Sequence, residues 1–92
     1  LTRPLVFDGN RLELNFSTSA AGKIGVEIQQ PDGRPIKGFA LADCDELFGD
    51  SLDEIVTWHD NPKVEGLAGR PVRLRFVVRD ADLFSFRFFS ER

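Results

Sequence analysis

Residues 70–89 read RPVRLRFVVRDADLFSFRFF. Val72, Leu74, Phe76 and Val78 alternate with Arg73, Arg75, Val77 and Arg79, and after Asp80, Ala81 and Asp82 the alternation resumes at Phe84, Phe86 and Phe88. Strand side chains point to opposite faces in turn, so a period of two marks a half-buried strand. Two such runs around a short polar tract predict an antiparallel hairpin with Arg73, Arg75, Arg79 and Arg87 on its outward faces. The same pattern occurs upstream. Leu12, Leu14 and Phe16 alternate with Glu13 and Asn15, and Ile24, Val26 and Ile28 alternate with Glu27 and Gln29. The small polar tract from Thr18 to Gly22 reads as the loop of a second hairpin.

The other segments are shorter. Leu5 to Phe7 reads as a first strand lying beside Phe84 to Phe88. Pro31, Asp32 and Gly33 form a turn, and Pro31 before it with Pro35 at its start make 35–41 a weak edge strand. Asp43 to Phe48 suits one helical turn with Asp43 as its N-cap and Glu46 three residues on. Glu54 to Trp58 reads as a strand with Val56 and Trp58 on one face. In the loop that follows, Val64 and Leu67 are expected to plug inward.

Seven or eight short strands joined by Gly, Pro, Asn and Asp turns predict an all-β fold. The expected form is an antiparallel two-sheet β-sandwich, jelly-roll-like or immunoglobulin-like, with a small closed barrel as the alternative. Ninety-two residues make one domain, 1–92, with an apolar share of 41% that suffices for a core. No apolar run approaches the ~20 residues of a membrane helix. The chain opens at Leu1, without Met and already in a strand pattern, which is expected of a piece of a longer protein.

Charge is unevenly spread around the net value of −3. Between residues 38 and 62 stand Asp43, Asp45, Glu46, Asp50, Asp53, Glu54 and Asp60, with no Lys or Arg. An acidic balance argues against nucleic-acid binding, which needs clustered bases to neutralise phosphate. Asp43, Asp45, Glu46, Asp50 and Asp53 offer the hard oxygen ligands that Ca²⁺ takes. Their spacing is not that of an EF-hand, and a solvated loop of caps and turns is the plain alternative. A catalytic pair of carboxylates needs a sugar-sized cleft that so short a chain has little room to build. His59 and Asp60 lack a serine in a nucleophile-elbow context, so no triad is expected.

Trp58, followed by His59, Asp60 and Asn61, has the residue types of a sugar-stacking site. A lone Trp in a small β-domain suits a core position equally. The outward arginines either pair with Glu13 and Glu27 across strands or dock a neighbouring domain. Cys44, the single cysteine, has no partner for an internal disulfide and reads as a small buried residue.

The phrases STSAAG, DGRPIKGF, DCDELFGDSL and AGRPVRLRFVVRDADLFSFRF follow one another along nearly the whole chain. With them the chain resembles the C-terminal β-sandwich module of bacterial proteins similar to glycoside hydrolase family 32, the β-fructosidase and levanase group built on a five-bladed propeller. The resemblance implies a non-catalytic accessory domain. It would pack on and stabilise the catalytic propeller of its own chain, in an exported protein. No catalytic residue carries over, because the propeller motifs are absent from these residues. A domain of this kind, isolated, would expose a partly apolar face and could self-associate. A carbohydrate-binding module with Trp58 as platform is the alternative function.

Overall fold

The computed structural model describes residues 2–90, and at positions 50–53 the backbone alone. The fold is all-β. Three strands, β1 (Arg11–Gln29), β2 (Asp50–Ile55) and β3 (Arg73–Phe89), form an antiparallel sheet in the order β2-β1-β3. Two 3₁₀ turns, Leu41–Asp43 and Glu65–Leu67, complete the regular structure among the described residues. No helix there is long and apolar enough to cross a membrane.

Both expected hairpins are instead single continuous strands. β1 runs through the tract read as a loop, and β3 runs through Asp80, Ala81 and Asp82. The reason is their mutual register. Thr18 pairs with Ala81 and Lys23 with Arg79, so residues 19–22 of β1 stand opposite Asp80 alone. The two polar tracts meet as one large bulge, and a bulge bends a ladder without reversing it. The bulge is tight: a Cβ on Gly22 would lie 2.2 Å from the Asp80 carbonyl oxygen. Asp80 itself takes a positive φ of 47°.

The bend folds the β1–β3 ribbon onto itself. Phe76 and Phe86 lie ten residues apart in one strand, about 33 Å if it were straight, yet their ring centroids are 5.2 Å apart. Leu12, Leu14 and Phe16 from one half of β1, and Ile24, Val26 and Ile28 from the other, therefore share one core. All six are buried, as the alternation predicts. Each contributes on the order of 1.5–3 kcal/mol through burial. Val56, Trp58, Val64, Leu67, Val72 and Leu74 fill the rest with Phe7 and Leu47.

Other segments depart from expectation. The first segment bridges Val72 through Leu5, with N–H···O bonds of 2.7 and 2.8 Å, and does not pair with 84–88. Only its Phe7 ring reaches Phe88, stacked at 3.9 Å. The helical turn begins earlier, at Leu41, and ends at Asp43, whose side chain accepts the Ala40 N–H; Asp43 is thus the third residue of the turn and not its cap. The weak strand at 35–41 shrinks to a bridge between Pro35 and Gln29. β2 runs from Asp50 to Ile55, so it begins four residues before the expected strand at Glu54 and ends short of Trp58.

Candidate functional site

Trp58 enters a two-residue hairpin loop. Trp58 and Asn61 exchange backbone hydrogen bonds of 3.0 Å, and His59 and Asp60 between them take φ values of 51° and 63°. Positive φ at both central residues is the type I′ arrangement that matches strand twist. This geometry turns the Trp58 side chain inward, where it is 2% exposed. Its indole N–H donates to the Val26 carbonyl at 3.0 Å, and Phe39 meets the ring edge-on at 5.3 Å. A sugar platform needs an open aromatic face, and the Trp58 ring, buried as a core anchor, presents none. His59, Asp60 and Asn61 stay exposed without it.

The acidic loop is tied to its surroundings. Asp45 Oδ2 accepts from Thr57 Oγ1 at 2.5 Å and from the Asp60 N–H at 2.8 Å. These bonds, the Thr57 hydroxyl first, hold its carboxyl below the usual carboxylate range. Asp43 Oδ1 lies 2.8 Å from His59 Nε2, and Glu46 pairs with Lys23 at 3.2 Å. Among the described residues no three His, Cys, Asp or Glu side chains converge as metal ligands. The side chains of Asp50 and Asp53, also expected as ligands, lie outside the described residues. Cys44, half-buried, accepts the Val26 N–H through sulfur at 3.4 Å, and burial pushes its thiol pKa up, away from the thiolate a nucleophile needs.

Two of the four outward arginines pair as cross-strand register dictates. Arg87 stands opposite Glu13 and bonds it at 2.7 Å. Arg75 stands opposite Glu27, 3.9 Å away. Glu27 departs from expectation, being 6% exposed despite its outward position, because the 36–44 segment covers it. Its carboxylate accepts from the Leu41 N–H at 3.1 Å and from Gln29 Nε2 at 2.6 Å, so it anchors that segment to the sheet. Gln29 Oε1 and Arg73 Nε are buried without partners. They belong to register partners, whose side chains are within reach of each other.

The remaining surface feature lies along β3. Its one neighbour in the sheet is β1. On the other side Thr2 bonds it at Leu74 and Leu5 pairs with Val72 just before it, and from Arg75 onward no described segment pairs with that edge. The core is open there. Val78 and Phe86 pair with buried Ile24 and Leu14 and so face inward, yet Val78 is 42% exposed and Phe86 36%. Phe84 reaches 63%. Thr2, Phe76, Leu83, Ser85 and Phe86 join it around a shallow apolar cleft. The alternation places Phe76, Val78 and Phe86 inward but carries no information on which strand lies beside them, so the opening could not be read from sequence. Protein-family models, curated proteins and solved structures, compared with this chain, yield no match.

Proposed function

We propose that the chain is a non-catalytic interaction module whose open β3 edge is covered by another domain. The observation that carries this reading is the pair of inward-facing residues Val78 and Phe86, left 42% and 36% exposed beside an unpaired edge, with Phe84 open next to them. Natural sheets rarely leave a long edge bare, and large exposed apolar patches mark contact surfaces. In the form the family resemblance suggests, the module is a jelly-roll-like β-sandwich. It packs on the propeller of an exported glycoside hydrolase family 32-like protein. The approach of Phe76 to Phe86 across the folded ribbon supports two packed layers. Burial of Trp58 weighs against a carbohydrate-binding module, and the internal bonds of Asp43, Asp45 and Glu46 weigh against a Ca²⁺ site.

The test is amide hydrogen exchange across residues 75–88, in this chain alone and in the longest product of its gene. Docking predicts slower exchange and burial of Phe84 and Phe86 in the longer product. Identical exchange in both, or a gene product with no further domain, contradicts it.

A further inference from the structure

Register along the open edge specifies what can cover it. On the outer face of the ribbon, Lys23 and Arg79 stand directly opposite each other, a repulsive cross-strand pair. Lys23 is neutralised by Glu46, while no carboxylate of the described residues lies within ion-pair distance of Arg79. Arg75 on the same face has only the 3.9 Å contact with Glu27, which Gln29 and Leu41 already share. Between the two arginines lies Val77, half-open, on the wall of a cleft whose other side is Leu41, Ala42 and Cys44. On the inner face Val78 is 42% exposed and Phe76 half-buried, so this face takes apolar neighbours.

A strand added at this edge would set its side chains about 4.5–5.5 Å from those of β3, each on the same face as its partner. Arg75 and Arg79 then call for acids, Val77 for an apolar residue, and Phe76 and Val78 for apolar residues on the inner side. We propose that the covering partner contributes an extended segment paired to β3 from Arg75 to Arg79, with the pattern acidic, apolar, apolar, apolar, acidic. This rests on the docking reading above and adds strand addition and charge to it. Backbone hydrogen bonds supply the attachment, and alternate side chains supply the choice of partner.

The test uses this chain, isotope-labelled, and two synthetic seven-residue peptides. One has the core Glu-Val-Ile-Val-Glu, and the other has lysine at both glutamate positions. The acidic peptide is expected to shift the amides of residues 75–79. The lysine peptide should bind roughly fivefold more weakly for each replaced acid. Arg79→Glu, which leaves one site of each sign, should abolish the preference between the two peptides, and its amide spectrum reports whether it remains folded. Equal response to both peptides, shifts elsewhere, or no response at millimolar peptide overturns the proposal. So does concentration-dependent protection of 75–79 in the chain alone, which would make a second copy the occupant. If Phe84 and Phe86 become buried in the longer gene product while amides 75–79 gain no protection, docking stands and strand addition falls.

Discussion

Trp58 fills the core between Val26 and Phe39, and its indole N–H satisfies a backbone carbonyl there. Trp58→Ala should cost about 3–5 kcal/mol, read from denaturant unfolding. Fructan, glucan and xylan oligosaccharides should leave the amides of residues 58–61 unmoved; localised shifts would restore a binding role to this turn. Asp45 offers a pH-resolved test. Its folded pKa is depressed by Thr57 and the Asp60 N–H, so its contribution to stability is present above its unfolded value of about 3.9. That contribution is lost as pH falls through the lower folded value. Asp45→Asn should therefore lower Tm at pH 7, with the gap from the parent closing toward pH 3. A gap independent of pH would mean that the carboxylate charge is not what holds the loop. At this scale the sequence was informative wherever alternation applied: Leu12 to Phe16 and Ile24 to Ile28 lie on the expected face. Glu27 was not legible, because its burial comes from a segment nine or more residues away. Trp58 was undecided, because an indole suits a core and a platform alike.

The bend is the feature on which the elements turn. Small polar tracts usually reverse a chain, and both were read that way. Here two of them meet across the ladder, and their extra residues are spent as a bulge that folds the ribbon over. Local turn chemistry marks where the backbone departs from a straight strand; it does not say whether the departure is a reversal or a bend, since that depends on which distant tract lies opposite. Gly22→Ala should test the bend, because a methyl group there meets the Asp80 carbonyl at 2.2 Å. The expected loss is on the order of 1–3 kcal/mol. A neutral effect would place Gly22 in a looser bulge than this one. The ion pairs were more legible than the ribbon: Glu13 with Arg87 and Glu27 with Arg75 follow from outward positions on strands that share a sheet. As a half-exposed contact, Arg87 with Glu13 is worth at most about 1 kcal/mol and serves register more than stability.

At the scale of the molecule, one core is closed on the β1 side and open along β3. Segments 35–39, 47 and 50–55 cover the far side of β1 in turn, while β3 beyond Leu74 has no such cover among the described residues. The all-β class was legible from period and punctuation. The open edge was not, because strand order is set by long-range pairing that no local pattern encodes. The most direct test is residue-resolved amide exchange along 75–88 of the chain alone at low concentration. In an edge strand successive N–H groups point alternately to the neighbour and to solvent. A single strand paired to β1 and bare outside predicts alternating slow and fast amides, interrupted near Asp80 and Phe84 where the register shifts. Continuous protection along the whole stretch would contradict the open edge, and with it the docking function built on it.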